Sequence, residues 1–389
     1  MTQRTRGTRA KLQRIRVDVE PAYEVCIGVG AHERAARELR PTDVVLRDSG
    51  VPAGVAELHA ATTIALAPGE EAKEWSTLAS VLAALADEAC DRSTRLFVVG
   101  GGAALDLGGL AAALYLRGVE ALYCPTTLLA MVDASVGGKT AINLEQGKNL
   151  VGVIRQPSAV YADPRWLASL PEAEFRSGLG EALKSAVIGG ERFLAQLERD
   201  AARLVARDEA ALVELVARCV ELKARIVARD PHERGPRRAL NLGHTFAHAV
   251  EHVAGYGVVP HGIAVAAGLA LALELAASTG VLADDALPAR VRALAAALGL
   301  PASLDELRSE YGLALAPRAL ATAMRSDKKS VRAEPRFVLP VRAGKLELRV
   351  AAAAELVLAV CAPAAKQGRA RRARARRARR MRSSPKPGS

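Results

Sequence analysis

Leu96-Phe97-Val98-Val99 runs straight into Gly100-Gly101-Gly102, and a helical pattern follows at once. A short apolar run closed by glycines reads as a buried strand, and a strand that turns on glycine into a helix is one step of a βα unit. The same alternation extends through residues 17–163. Val44–Leu46 reads as a second buried strand, Thr63–Leu66 as a weaker one, and Ala72–Ala89 and Ala103–Leu116 as helices. Alternation of this kind predicts an α/β domain built on a parallel sheet. From residue 164 to 365 the pattern turns mostly helical, with long periodic segments at Glu191–Arg229, Ala239–Val253 and Ile263–Ser278 and a late strand pair at Arg336–Leu339 and Lys345–Val350.

Charge is distributed unevenly over the 389 residues, whose formal net charge is +12. Residues 1–16 carry six Lys/Arg and residues 366–389 carry eleven, neither with an acid, which leaves 37 basic against 42 acidic residues in between. The body is mildly acidic; the basicity belongs to an expected flexible arm over 1–16 and an expected disordered Arg-rich tail over 366–389. An Arg run can neutralise nucleic-acid phosphates, but this one has no aromatic residues, so nucleic acid is not the expected partner. The five cysteines, Cys26, Cys90, Cys124, Cys219 and Cys361, are odd in number and form no CxxC, which points to a reducing cytoplasm. The N-terminus is polar, without the apolar run of a signal peptide. The longest apolar stretch, Gly262–Leu273, is too short to span a bilayer and reads as a buried helix.

Three constellations carry chemistry. Glycines at a strand-to-helix turn let backbone N–H groups approach a phosphate at the positive end of a helix. The pattern is not GxGxxG, and it also suits an ordinary tight turn. Asp106, four residues on, could accept a ribose hydroxyl or simply favour the helix N-terminus. Second, Pro125-Thr126-Thr127, Val132 to Thr140 and Gly147-Lys148-Asn149 pack Thr, Asp, Ser, Lys and Asn between glycines, as a long ligand loop would. Gly137-Gly138-Lys139 sets a cation beside flexible backbone, although the Walker A spacing fails. Third, four of the seven histidines, His244, His248, His252 and His261, fall within eighteen residues. His244 and His248 share a helix face, with His252 expected to continue it. Thr245 stands where a zincin needs Glu, so a carboxylate must come from elsewhere, Glu181 being the candidate. Two imidazoles and a carboxylate leave an open metal position for substrate.

Taken in order, these blocks resemble the 3-dehydroquinate synthase family. The likeness rests on Gly100–Asp106, Leu116-Arg117-Gly118, Cys124–Ala130, Val132–Asn143, Gly147–Asn149, Leu170-Pro171-Glu172 and Gly178–Lys184. It continues through Asn241–His248, His261-Gly262, Asp327-Lys328-Lys329 and Phe337–Pro340, spanning roughly residues 20–360. The resemblance implies an α/β NAD-binding domain with a parallel sheet over 17–163, followed by a mostly helical metal- and substrate-binding domain over 164–365. It implies Glu181, His244 and His261 as ligands of Zn2+ or Co2+. Asp48, Glu70, Lys73, Gly101, Gly102, Asp106, Thr126, Thr127 and Lys148 would contact NAD. Arg117, Asp133, Lys139, Asn149, Lys184, Lys223, Arg237, Asn241, His248 and Lys328 or Lys329 would hold substrate. His248, Glu233, Lys184 and Asp133 would be the catalytic groups. Arg117 in the family serves the neighbouring subunit's site, which implies a homodimer.

The implied reaction belongs to the shikimate pathway of aromatic amino acid biosynthesis. It cyclises 3-deoxy-D-arabino-heptulosonate 7-phosphate to 3-dehydroquinate with elimination of phosphate, using NAD catalytically. Arg237 suits a carboxylate because its planar fork can bind one bidentately. The chain departs from the family at Leu105, where Gly is usual, at Ile263, where Glu follows His-Gly, and at Gly50, where Asn is common. Asp230-Pro231-His232-Glu233 replaces Asp-Glu-Arg-Glu. The alternatives are a related cyclase of specialised metabolism, such as an aminodehydroquinate synthase, and a metal-dependent polyol dehydrogenase.

Overall fold

The sheet of the first half is assembled from strands β1 (Gln13–Val17), β2 (Tyr23–Ile27), β3 (Val44–Asp48), β4 (Thr62–Leu66), β5 (Arg95–Gly100), β6 (Glu120–Pro125) and β9 (Ala159–Ala162). The computed structural model describes residues 12–326 and 334–363. The Arg-rich tail, most of the basic arm, and the Lys328 and Lys329 pair lie outside the described residues. The sheet order is β1-β2-β9-β6-β5-β3-β4, parallel throughout except that β1 runs antiparallel to β2. Every residue of β5 is buried, as a central parallel strand covered on both faces must be.

Helices α1 (Ala31–Glu38), α2 (Trp75–Asp87) and α3 (Gly102–Leu114) fall between strands, and the hairpin β7 (Lys139–Leu144) and β8 (Gly147–Ile154) packs on α3. The expected parallel α/β domain is therefore present, with two local corrections. Residues 13–16, expected in a flexible arm, are edge strand: Arg14 and Arg16 are exposed while Ile15 and Val17 turn inward. The polar block expected as one long loop contains a π-helical turn at Ala130–Ala134 and the β7–β8 hairpin.

Strand β3 has β4 on one side and β5 on the other. The chain thus reverses its direction across the sheet after β4, and parallel sheets bind ligands at the carboxyl ends of strands beside such a reversal. Asp48 ends β3 and Gly100 ends β5.

The chain divides into two compact units between Arg238 and Ala239. The boundary expected at 163/164 marks where the sheet ends. Helices α4 (Glu172–Gly189), α5 (Glu191–Val205) and α6 (Glu209–Arg229) still belong to the first unit, α6 lying against β1 and β2. The second unit holds α7 (His244–Ala254), α8 (His261–Thr279), α9 (Leu287–Ala297), α10 (Leu304–Tyr311), α11 (Pro317–Ser326), the hairpin β10 (Phe337–Arg342) and β11 (Lys345–Val350), and α12 (Ala354–Val360). Helix α8 is long and apolar enough to cross a membrane, but it is mostly buried by α7, α9, α10, α12 and β10, and is the core of its unit.

Candidate active site

At the end of β5 the chain needs glycine for close approach. A Cβ on Gly100 would lie 2.8 Å from the Asp48 Cβ and 2.6 Å from that of Ala104. Gly101 caps α3 with extended backbone and no side-chain acceptor, so the amides of the first turn face outward from the strand ends. Asp48 is buried and accepts from Gly50 N at 2.8 Å and Gly69 N at 3.4 Å. A Cβ on Gly50 would lie 3.0 Å from the Pro68 Cβ and 3.1 Å from Asp48 Oδ1, a tight fit for any side chain. Thr126 N donates to Gly100 O at 2.9 Å, and Thr127 Oγ1 accepts from Ala130 N at 3.1 Å, fixing the adjoining βα turn.

A second knot joins α3 to the hairpin. Lys73 Nζ donates to Asp106 Oδ2 at 2.7 Å and also to Asn149 Oδ1. Burial raises the Asp106 carboxyl above its ordinary range although Lys73 pulls it down. Asn143, absent from the expected site residues, ties this knot. Its Nδ2 donates to Glu70 Oε2 at 2.8 Å, its Oδ1 accepts from Asn149 N at 2.9 Å, and its own N donates to Lys73 O at 2.8 Å. Lys148 is half-buried beside Asn149, which adopts a left-handed φ of 55°.

Buried charge gathers next to the π-turn. Lys223 Nζ donates to both the carbonyl and Oδ1 of Asp133, each at 2.7 Å. Glu181 and Lys184, one helical turn apart on α4, form a buried ion pair. Burial disfavours the Lys184 ammonium, but Glu181 and Asp133 outweigh it and its pKa rises. At Lys223 burial prevails over Asp133, aided by repulsion from Lys184 and Arg237, and its pKa falls. Arg237 is 1% exposed; Nη1 donates to Pro231 O at 2.6 Å and Nη2 to Gly137 O at 2.9 Å. Its Nε is buried with no partner among the described residues. Tyr23 Oη, its pKa pushed up to about 12 by burial, accepts from Gly137 N at 3.2 Å and supports the same peptide from behind. Asp230 accepts from the amides of Arg234, Gly235 and Arg237, which hold its carboxyl below the usual range despite burial. Lys139 pairs with Glu233, which has a left-handed φ of 57°. Arg117 stands apart: exposed and left-handed beyond the C-terminal end of α3.

In the second unit Gly243 and Gly268 let α7 and α8 touch. A Cβ on Gly268 would fall 2.3 Å from Gly243 O. The His244 and His261 rings come within 5.2 Å of each other, and His248 lies 5.5 Å from His244 and 6.1 Å from His261. His244 Nδ1 lies 3.2 Å from Leu242 O. Asn241 is half-buried in the 3-10 turn that precedes α7. His252 is corrected: it is exposed against Tyr256, and Glu251 takes the position on the histidine face. At 100° per residue Glu251 lies about 20° from the direction of His244, whereas His252 lies about 80° away.

An uncapped glycine turn at a sheet's switch point, with buried lysines and an arginine in the same unit, is an arrangement able to bind anionic groups beside a nucleotide. The family model described as 3-dehydroquinate synthase N-terminal matches residues 63–177, and that of the C-terminal part matches residues 178–330. A 3-dehydroquinate synthase of Cereibacter sphaeroides is 44% identical over 337 residues, 82% of this chain and 89% of that protein. A 2-epi-5-epi-valiolone synthase from Streptomyces hygroscopicus, solved with NAD+ and Zn2+ bound, has a TM-score of 0.75 at 26% identity, covering 87% of this chain and 95% of that one. A 2-deoxy-scyllo-inosose synthase solved with carbaglucose-6-phosphate, NAD+ and Co2+ shares the fold, with a TM-score of 0.77 at 22% identity over 90% and 99% of the two chains. The chain belongs to the 3-dehydroquinate synthase family. Its activity is that of a lyase of this kind; the specialised-cyclase and polyol dehydrogenase readings are not favoured.

Proposed function

We propose that the chain cyclises 3-deoxy-D-arabino-heptulosonate 7-phosphate to 3-dehydroquinate and phosphate, with NAD and a divalent metal, Zn2+ or Co2+, as resident cofactors. The observation that carries the substrate reading is the buried Arg237, whose Nε has no acceptor among the described residues. A buried guanidinium with an unused donor suits a ligand carboxylate, and the two neighbouring buried lysines suit further anionic oxygens. A carboxylate-free sugar phosphate would leave that donor unmatched.

The residues present fit both cofactors. A Cβ at Gly100 would close the glycine turn, and α3 begins without a side-chain acceptor, as a pyrophosphate site requires. Asp48, Glu70, Lys73, Gly101, Gly102, Asp106, Thr126, Thr127 and Lys148 would hold NAD. A buried carboxylate, Glu181, and two imidazoles, His244 and His261, are the oxygen and nitrogen donors that zinc takes, and we assign them to one metal centre. When bound, NAD supplies a regenerated hydride acceptor and the metal supplies Lewis acidity.

The chain's own groups do the rest. Arg237, Lys223 and Lys139 fix the acid and phosphate ends of the substrate, with Asn149, Asn241 and a lysine of the 327–329 motif. Lys223 anchors Asp133 by two hydrogen bonds, so that carboxylate is oriented rather than mobile. Lys184, kept charged by Glu181 and Asp133, stabilises negative charge developing on the substrate. His248 moves protons at the reacting carbons, and Glu233, held by Lys139, is the second base.

We place Arg117 in the site of a second copy. Helix α3 has 13 residues, so its two ends lie about 20 Å apart, too far for Arg117 to reach the glycine turn from which α3 starts. Its chain neighbours Leu114 and Leu116 are exposed, as apolar side chains covered by a second copy would be in a lone chain. The five cysteines are unpaired, which suits a reducing cytoplasm.

The test incubates purified protein with the heptulosonate phosphate, NAD and Zn2+. Phosphate and 3-dehydroquinate are expected in equal amounts, with no net NADH and no turnover after chelation. Net NADH from a simple polyol, with no phosphate released, would overturn the reading.

A further inference from the structure

We propose that Glu251 is a positioning residue that holds the His261 imidazole in the orientation and tautomer needed to ligate metal. Glu251 is only 5% exposed, and a buried carboxylate must find polar partners. It faces the α7–α8 seam, where both of its oxygens lie 3.4 Å from His261 Nδ1. A carboxylate accepts only, so Nδ1 carries the proton and Nε2 presents the lone pair. His261 sits on the first residue of α8 and is partly exposed, so its own helix leaves its ring less constrained than a core side chain. His244 has the parallel arrangement with a backbone carbonyl, Leu242 O, in place of the carboxylate. Ligand histidines are commonly fixed through the ring nitrogen that does not bind the metal, and loss of that partner typically costs 10–100-fold in affinity.

The inference rests on His261 being a ligand, and the experiment separates the two. Full-length apo-protein is titrated with Zn2+ against a chromogenic chelator for wild type, E251A, E251Q and H261A. We expect E251A to bind Zn2+ about 10–100-fold more weakly. E251Q, whose amide oxygen still accepts from Nδ1, should retain most of the affinity, and H261A should lose nearly all of it. Wild-type affinity in E251A beside a loss in H261A overturns the role of Glu251 alone. Wild-type affinity in H261A overturns the metal assignment itself. Histidine 15N spectra of the wild-type protein, which need no folded variant, should show the His261 proton on Nδ1; a proton on Nε2 overturns the proposal.

Discussion

Arg237 is held where a lysine would be a poor substitute. Two of its nitrogens are spent on the carbonyls of Pro231 and Gly137, and Nε has no partner among the described residues. Gly137 is glycine for two reasons that coincide: its φ is +103°, and a Cβ would stand 2.5 Å from Arg237 Nη2. R237K keeps the charge but loses the fork. Hydrogen bonds to charged groups are worth about 1.5–3 kcal/mol, so kcat/KM for the heptulosonate phosphate should fall roughly 10–100-fold, and the thermal midpoint should also drop because the Pro231 and Gly137 carbonyls lose donors. An unchanged kcat/KM would remove Arg237 from the substrate site. The individual residue types here were readable from the chain, but their pairings were not. Nothing in the spacing of Asp133 and Lys223, or of Lys73 and Asn149, announces a contact between residues some 75–90 positions apart. Tyr23 acts on a backbone amide and Asn143 on two backbone groups as well as the Glu70 carboxylate, and no residue pattern marks such roles.

Among elements, the strands legible beforehand were those whose state is local. β3 and β5 are apolar runs bounded by turn residues, and any burial of them favours a sheet. The β7–β8 hairpin has a loop-like sequence, polar and glycine-rich, and β8 buries little of itself. Its strand state comes from pairing with β7 and from α3 beneath, contacts that a linear pattern does not encode. Helix α7 starts at His244 rather than Ala239, because Gly243 turns the backbone to a φ of +79°. The seating of α3 is tight. A Cβ on Gly109 would lie 2.1 Å from Tyr123 Oη and 2.6 Å from Thr140 Cγ2. G109A should therefore destabilise the first unit by about 1–3 kcal/mol, read as a lower urea midpoint, despite the better helix propensity of alanine. An unchanged or higher midpoint would show that α3 can shift away from β6 and β7 at little cost.

For the whole molecule, the proposed placement of Arg117 in the site of a second copy is testable by complementation. R117A and K184A should each be inactive alone. After subunit exchange the mixture should regain activity, because a mixed dimer contains one site with both residues intact. Exchange confirmed by mass, with no recovered activity, would place Arg117 outside the partner's site. What the linear chain determined was the alternation that builds a parallel sheet, the glycine turn at the end of β5, the apolar core helix α8, and the inventory of Lys, Arg, Asp and His that chemistry on phosphorylated acids requires. Those follow from local apolar period and from residue type, which every short window of sequence contains. Only the tertiary structure decided that the compact first unit runs on to Arg238, that Glu251 rather than His252 faces His261, and that Lys223 grips Asp133 while Arg237 keeps a donor in reserve. Each of these depends on which distant surfaces pack together, and burial then sets which polar groups must be paired and which await a ligand.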